Sequence, residues 1–273
     1  MTGRTLIIMS RRLRLDAELV RRGLARSRDQ AADLIAAGRV AVAGQTVAKA
    51  ASQVGIDAAI TIQQVSDEPE YVSRGGRKLA GALAAFDGLA VAGKRCLDAG
   101  ASTGGFTDVL LRAGAAHVIA VDVGYGQLAW SLQTDERVTV LDRVNVRNLS
   151  PAQVAPLPAL VVADLSFISL TLVLPALVRC ATPDADFVLM VKPQFEVGKD
   201  QIGGGVVRDP ALRAAAVGTV AQAAADLGLG VAGVSASPLP GPSGNVEYFL
   251  WLRRGAAPLD PAVLRAAVEA GPQ

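Results

Sequence analysis

The sequence predicts an α/β protein, in which a small α+β module precedes a Rossmann-like, mostly parallel sheet of seven strands with helices on both faces. From residue 94 onward, short apolar runs alternate with helical segments, and several runs end in an aspartate or a lysine. That rhythm is typical of buried parallel strands. Residues 1–39 differ in composition, because they hold nine arginines, no lysine and four acids. A chain of 273 residues that is 51% apolar is long enough for a large domain and a small one.

Two short helices and short strands are predicted for the N-terminal module. Apolar residues at helical spacing mark the first helix. They are Leu15, Leu19 and Leu24. A Ser-x-x-Gln capping box at Ser27 opens a second helix over residues 30–37, which Gly38 ends. Alternating residues 40–42 lead into a Gly-Gln turn, and residues 60–62 suggest another strand.

The arginines of this module predict contact with a polyanion, because the planar guanidinium binds phosphate through two hydrogen bonds. Charge alone leaves a solvated helix face as an equal alternative. The pattern of small residues, leucines and arginines from Arg14 to Gly44 resembles the S-four type of RNA-binding domain, in which two helices present basic residues to structured RNA. The resemblance implies RNA contacts by Arg14, Arg21, Arg22, Arg26 and Arg28.

A polar run with a proline, Ser66 to Glu70, predicts a linker between the two domains. The expected boundaries are 11–64 for the RNA-binding module, 65–74 for the linker, 75–254 for the large α/β domain and 255–273 for a tail. Paired glycines, Gly75 and Gly76, follow the linker and allow close approach of the backbone to a ligand. Lys78 then opens a helix.

The seven strands of the large domain are predicted from apolar runs of strand length. They are residues 95–97, 117–121, 138–141, 160–163, 187–191, 231–235 and 248–252. Four of these runs are followed closely by Asp122, Asp142, Asp164 and Lys192. Because ligands bind at the carboxyl ends of parallel strands, these polar residues are candidates for a site.

The turn after the first strand, residues 97–106, is rich in glycine but matches neither the dinucleotide fingerprint nor a P-loop. Asp98 precedes its glycines, and a carboxylate there suits a cationic ligand better than a pyrophosphate. Asp122 suits the ribose hydroxyls of an adenosine and Asp142 its amino group, so the expected cofactor is S-adenosylmethionine. The expected cofactor-binding residues are Asp98, Gly100, Ala101, Ser102, Gly104, Gly105, Phe106, Asp122 and Asp142.

The residues after the fourth strand favour an oxygen as the methyl acceptor. Base-amino methyltransferases usually carry two prolines there, whereas this chain has Asp164-Leu-Ser-Phe. Carbon methylation of a base needs a nucleophilic cysteine, and Cys96 and Cys180 are badly placed for that role. A neutral lysine amine can take the proton of a ribose hydroxyl, and Lys192 ends the fifth strand.

Four charged residues, Lys78, Asp164, Lys192 and Glu247, match the Lys-Asp-Lys-Glu tetrad of the FtsJ-like ribose 2′-O-methyltransferases. With the surrounding motifs, the chain from residue 11 to 254 resembles the TlyA family. The resemblance implies that the tetrad is catalytic, that the product is 2′-O-methylcytidine, and that the partner is ribosomal RNA or a ribosomal subunit. Members of this family are often labelled hemolysins.

Other classes are disfavoured by composition. Two cysteines and a single histidine, His117, are too few for structural zinc or a disulfide scaffold, and no metal is expected. No secretory signal is recognised, so a cytoplasmic protein is expected. The apolar stretch 149–178 contains four prolines and Asp164, which favours a buried strand and a helix over a membrane span. A membrane-active hemolysin and a non-catalytic RNA-binding assembly factor stay open as alternatives.

Overall fold

Two compact units divide the chain between Glu70 and Tyr71 in the computed structural model of the protein. The described residues are 12–25, 27–63, 71–198, 205–241 and 243–271. The smaller unit combines helices with short strands, and the larger unit holds a seven-stranded sheet. The predicted fold class, a small α+β module followed by a Rossmann-like α/β domain, is confirmed.

The smaller unit packs two helices together over short strands. Its elements are β1 (Arg12–Arg14), α1 (Leu15–Arg21), α2 (Arg28–Ala36), β2 (Val40–Val42), β3 (Gln45–Thr46), β4 (Gln53–Gly55) and β5 (Ile60–Ile62). Strand β1 pairs with β4, and β2 lies between β3 and β5, all antiparallel. Leu15 and Leu19 of α1 and Ile35 of α2 form the centre of its core.

The first helix is shorter than the sequence predicts. It ends at Arg21, and the prediction that Leu24 lies on it is wrong: Leu24 follows the helix and is 38% exposed. Gly23, in the left-handed region at φ 70°, turns the chain away from the helix. The cap of α2 is as expected, since the Ser27 hydroxyl accepts a hydrogen bond from the Gln30 amide at 3.1 Å.

The larger unit is built on a single sheet with the strand order β11-β12-β10-β9-β6-β7-β8. Its strands are β6 (Arg95–Ala99), β7 (His117–Asp122), β8 (Val138–Asp142), β9 (Leu160–Ala163), β10 (Asp186–Val191), β11 (Gly230–Ala236) and β12 (Tyr248–Arg253). Its helices are α3 (Arg74–Ala85), α4 (Gly105–Arg112), α5 (Trp130–Gln133), α6 (Leu170–Arg179), α7 (Pro193–Glu196), α8 (Pro210–Ala225) and α9 (Pro261–Ala270). Only β12 runs against its neighbours, β10 and β11.

Each face of the sheet is covered by its own set of helices. Leu79 of α3 and Leu110 of α4 pack on one face, and Leu174 of α6, Val217 of α8 and Leu264 of α9 pack on the other. Burial on both faces explains why strands such as β9 are apolar throughout rather than alternating.

The strand order reverses beside β6, and this reversal fixes where a ligand can bind. The chain passes from β6 to β7 and β8 on one side, then returns to place β9 and β10 on the other side. The loops after β6 and β9 therefore leave the sheet next to each other and in opposite directions. Such a switch point is the usual ligand crevice of an open α/β sheet.

Three regions depart from or refine the expectations. Helix α3 begins at Arg74, inside the predicted linker and one turn before Lys78. The predicted tail includes α9, and its Leu264 and Val268 are buried against the sheet. The apolar stretch 149–178 contains buried β9 and most of α6. Within the described ranges, no helix has the length and apolar character needed to cross a membrane.

Candidate active site

Three of the charged side chains predicted as a set converge at the carboxyl edge of the sheet. Asp164 follows β9, and Lys192 follows β10. Strands β10 and β12 pair antiparallel up to Val191 and Tyr248, so the next residues, Lys192 and Glu247, lie across from each other. The sheet register thus brings together residues that are distant in sequence.

Lys192 is held by two oxygens from the segment after β9. Its Nζ lies 2.6 Å from Asp164 Oδ1, and it donates a hydrogen bond to Ser166 Oγ at 2.9 Å. The Lys192 side chain is largely buried, whereas that of Asp164 is about a quarter exposed. The amine is therefore fixed in position at the edge of an accessible crevice. Ser166 is a contact that the sequence analysis missed.

Lys78 and Glu247 form a second ion pair beside the first. Lys78 Nζ donates to Glu247 Oε2 at 2.5 Å, and both side chains are buried. Gly241 packs on the same carboxylate, since an added Cβ would lie 2.7 Å from Glu247 Oε1. The pair joins α3, the start of β12 and the loop before it. A buried charge is tolerated because its partner is equally buried.

Helix α3 also touches the first ion pair. A Cβ added at Gly75 would lie 4.0 Å from Asp164 Oδ2, so the first turn of α3 passes over that carboxylate. Lys78 is one turn further along the same helix. Helix α3 therefore contacts both ion pairs, and all four residues of the predicted tetrad belong to one site.

The glycine-rich turn after β6 packs directly on the segment after β9. Gly100 has φ 86°, and an added Cβ would lie 2.5 Å from the Asp164 carbonyl oxygen. Gly104 has φ 97° and would place a Cβ 2.2 Å from the Leu132 side chain. Glycine is required at both positions by backbone conformation and by space. The turn thereby leaves a narrow backbone surface at the switch point.

Asp98 lies at the base of this turn with its side chain fully buried. Thr107 Oγ1 donates to its Oδ2 at 2.7 Å, while Oδ1 has no hydrogen-bond partner among the described residues. Burial raises the pKa of Asp98 to about 7, and the negative charges of Asp164 and Asp122 act in the same direction. A cation in the crevice would relieve this unfavourable burial of charge.

The two aspartates after β7 and β8 shape the neighbouring loops. Asp122 accepts hydrogen bonds from the amides of Ser102 and Gly124, at 2.8 and 2.7 Å. Asp142 accepts from the Gly126 amide at 2.9 Å. Each carboxylate oxygen can accept a further hydrogen bond, so both side chains can still bind a ligand hydroxyl or amine.

The remaining members of the predicted cofactor set differ in accessibility. Ala101 is buried, and the Ser102 amide is committed to Asp122. The Phe106 ring lies in the core, 6.1 Å from the ring of Phe249. A Cβ at Gly105 would lie 2.3 Å from Ser73 Oγ, so this glycine allows α3 and α4 to cross closely. Neither Gly105 nor Phe106 offers a side chain to the crevice.

An exposed aromatic ring lies beside the ion pairs and was not singled out from the sequence. Phe167 is 92% exposed, adopts φ 63° and packs against Phe195 with ring centroids 5.2 Å apart. A non-glycine residue in the left-handed region is costly and is concentrated at functional sites. The sequence signal that could have identified it is an aromatic residue three positions after Asp164, at the end of a buried strand.

The arginines predicted to bind RNA surround two buried acids in the smaller unit. Arg14 and Arg28 both contact Asp16 Oδ2, at 2.8 and 2.9 Å. Their guanidinium groups hold the pKa of Asp16 well below its usual range. Both arginine side chains remain about half exposed and able to contact phosphate.

Glu18 organises the other two arginines in the same way. Arg21 Nη2 and Arg22 Nε each lie 2.6 Å from Glu18 Oε1, and they lower the pKa of Glu18 to about 2. Arg22 also donates to the carbonyl oxygens of Ala58 and Ile56, at 2.7 Å each, and is mostly buried. Arg21 is exposed, so of the two it is the more accessible to a ligand from solvent. Arg26 lies outside the described residues.

Comparisons with known proteins agree with this architecture. Residues 71–254 match the family of FtsJ-like methyltransferases, and residues 13–60 match the S4 domain. The chain is 62% identical over 268 residues to the 16S/23S rRNA (cytidine-2′-O)-methyltransferase TlyA of Mycobacterium tuberculosis, covering 96% of this chain and 99% of the relative.

Two further proteins that are similar to this chain are named hemolysins. Hemolysin A of Brachyspira hyodysenteriae is 37% identical, with 87% of this chain and 98% of the relative covered. The solved structure of a candidate hemolysin from Streptococcus thermophilus superimposes with a TM-score of 0.76 at 38% identity, covering 94% of each chain. Both matches extend across most of this chain, so they include the methyltransferase fold.

Replacing Gly100 by alanine is expected to destabilise the larger unit. The added Cβ would clash with the Asp164 carbonyl and also impose φ strain, together about 2–4 kcal/mol. Gly93→Ala is a matched control, because Gly93 has φ 74° but nothing within 4 Å of its added Cβ. Thermal unfolding should show a clearly larger fall in Tm for Gly100→Ala. Equal falls in the two variants would contradict the close approach at Gly100.

Proposed function

The chain belongs to the FtsJ-like methyltransferase family, and on that premise we propose that it methylates the 2′-hydroxyl of cytidine in ribosomal RNA. The observation that carries this proposal is the fixed amine of Lys192, 2.6 Å from Asp164 and next to the glycine-rich turn at the switch point. The relatives from M. tuberculosis and Campylobacter jejuni are named as rRNA (cytidine-2′-O)-methyltransferases. The high identity to the first supports the same acceptor here.

The residues at the switch point fit S-adenosylmethionine. This cofactor supplies an electrophilic methyl group on a positively charged sulfur. The buried Asp98, whose Oδ1 lacks a partner among the described residues, suits that cationic end. The backbone beside Gly100 gives close access, and Asp122 and Asp142 keep lone pairs for the ribose hydroxyls and the adenine amino group.

Lys192 is the group that handles the acceptor proton in this proposal. When the 2′-oxygen takes the methyl group that the cofactor would supply, the acceptor hydroxyl has to give up its proton. Lys192 can accept the hydroxyl proton once its own amine has released a proton, and Asp164, whose Oδ1 lies 2.6 Å from Nζ, then stabilises the ammonium that forms. Ser166 holds the amine in line by accepting one of its hydrogens at 2.9 Å.

The Lys78–Glu247 pair positions this centre. Glu247 lies across the strand pair from Lys192, and Lys78 ties it to α3, the helix that packs over Asp164. Both members are buried and bonded to each other. They are therefore suited to fixing the geometry of the site rather than to exchanging protons with the substrate. Phe167 offers an exposed ring beside Lys192 on which the target base can stack.

A membrane-active hemolysin is the second candidate function, because a relative is named Hemolysin A. The Lys192–Asp164 pair at the switch point fits a methyltransferase, and within the described residues no helix is suited to a membrane span. The geometry therefore favours the enzyme. RNA binding without catalysis leaves the Lys192–Asp164 pair unexplained.

Lys192→Ala is expected to reduce single-turnover methylation of ribosomal subunits by roughly 10²- to 10⁴-fold, because proton transfer from the acceptor is lost. Binding of S-adenosylmethionine should change only a few-fold. Lys94→Ala is the matched control, since Lys94 also pairs with an aspartate, Asp186, but precedes β6 at the amino edge of the sheet. Lys192→Ala retaining more than about a tenth of the rate would contradict the assigned role.

Cofactor affinity is expected to depend on pH through Asp98. Its pKa of about 7 is above the usual value, so below that pH the free site binds a proton that a cationic ligand must displace. Affinity should rise by up to about tenfold per pH unit as the pH approaches 7, then level off. Calorimetry in buffers of different ionisation enthalpy would detect the released proton.

Two variants make this pH test specific. Asp98→Asn should abolish the pH dependence and the proton release. His117→Gln should leave both unchanged, because the only histidine of the chain begins β7 at the opposite edge from Asp122. A pH-independent affinity in the unmodified protein would contradict the role of Asp98.

Removing Arg21 and Arg28 together is expected to weaken RNA binding. Arg22 and Arg14 still neutralise Glu18 and Asp16 in this double alanine variant, so the unit should remain folded. The slope of log affinity against log salt should become shallower by about 1–2, as two phosphate contacts are lost. Fluorescence anisotropy with labelled rRNA fragments measures this slope. Lys49→Ala is the control, and an equal effect there would contradict a specific role for the two arginines.

A further inference from the structure

Two aromatic side chains are exposed on the segment that leads from β7 into α5, whose first residue is Trp130. Residues 123–130, termed the aromatic loop here, carry Tyr125 at 70% exposure and Trp130 at 76% exposure. Aromatic residues make up only 4% of the chain, and other rings, such as Trp251 and Tyr248, are buried. The tetrad and the glycine-rich turn make no use of these two rings, so their exposure calls for another explanation.

Arg143 stacks on one of these rings. Its guanidinium carbon lies 4.2 Å from the centre of the Tyr125 ring. Arg143 follows β8 and adopts φ 58°, a backbone conformation that an arginine rarely takes. The pair combines a flat aromatic ring with a planar cation. Proteins use such side chains to stack on unpaired nucleobases and to bind phosphates.

The aromatic loop is held firmly rather than left free. Gly126 donates to Asp142, the Arg143 amide donates to the Gly124 carbonyl at 2.9 Å, and the Ala129 amide donates to the Thr103 carbonyl at 3.1 Å. The last bond attaches the loop to the glycine-rich turn. The exposed rings are therefore preorganised at the same edge of the sheet as the proposed methyl-transfer site.

Charge around the aromatic loop favours a polyanion. Arg143 and exposed Arg147 both lie in the segment that follows β8, next to the loop. The two acids beside the loop, Asp122 and Asp142, face its backbone and accept hydrogen bonds from the amides of Gly124 and Gly126, whereas the two arginines are exposed. A single-stranded nucleic acid combines bases that stack on rings with phosphates that attract arginine.

We propose that the aromatic loop and Arg143 form a stacking site for an unpaired base of the RNA substrate, next to the nucleotide that is methylated. This inference rests on the proposed rRNA methyltransferase function and adds a second contact on the catalytic domain. Phe167 follows β9, whereas the aromatic loop follows β7, so the two aromatic surfaces lie on different loops of the same edge. The RNA strand is thus held on two loops of the crevice.

The fluorescence of Trp130 gives a direct test in the intact chain. The protein has two tryptophans, and Trp251 is buried with its Nε1 bonded to Asp186 Oδ1 at 2.8 Å. Titration with an oligocytidylate of about twelve nucleotides should quench the emission, because a base stacks on Trp130. Trp130→Phe should remove the quenching, while Trp251→Phe should retain it. Absence of quenching under conditions where anisotropy detects bound oligocytidylate would overturn the stacking site.

Substitutions of the stacked pair test its contribution to catalysis. Tyr125→Ala and Arg143→Ala should each raise the KM for ribosomal subunits by roughly five- to twentyfold, with a smaller effect on kcat. Tyr125→Phe should restore normal KM because it retains the ring. Arg137→Ala is the matched control, since Arg137 precedes β8 at the opposite edge and pairs with Asp135.

Three outcomes separate the possible failures. If Tyr125→Ala weakens S-adenosylmethionine binding and leaves RNA binding unchanged, the loop is a cofactor contact and the stacking site is overturned. If the unmodified protein methylates RNA while all these variants keep a normal KM, the stacking site alone fails. If the unmodified protein transfers no methyl group to rRNA, the proposed function fails, and the absence of an RNA substrate to stack overturns the inference as stated.

Discussion

The contact between Lys192 Nζ and Asp164 Oδ1 joins the ends of two neighbouring parallel strands, and the rest of the site is arranged around it. The strand register brings Glu247 across from Lys192, and the glycine-rich turn packs on the Asp164 backbone. The first relation follows from the antiparallel register of β10 and β12, and the second from the strand order at the switch point. A change in the register of β10 would displace the amine from both its oxygen partners.

Buried charge is the second constraint on this centre. Lys78 and Glu247 are removed from water, which costs several kcal/mol per ion and is only partly offset by their attraction. An apolar pair of similar size would stabilise the folded domain equally well. The ion pair is therefore better explained by the geometry that it imposes on Lys192. Asp98 is buried and has no cationic partner among the described residues, so the binding of its proton depends on the charge of the ligand.

Much of the large domain could be predicted because its strands are apolar runs, several of which end near a charged residue. The short strands β1, β3 and β4 could not, since two or three mostly polar residues carry no periodic signal. Lys78 and Glu247 are 169 residues apart, so only a family resemblance linked them before the fold did. Phe167 and the aromatic loop were missed because exposure depends on tertiary packing. The catalytic roles of the tetrad stay predictions until they are measured.

Relatives of this chain carry both methyltransferase and hemolysin names, and the site described above favours RNA methylation for this chain. The most direct test is to incubate the protein with isotope-labelled S-adenosylmethionine and separated ribosomal subunits, then digest the rRNA to nucleosides for mass spectrometry. The account predicts label in 2′-O-methylcytidine from at least one subunit. Label in a base-methylated nucleoside, or none from either subunit or from intact ribosomes while the cofactor binds, would contradict it.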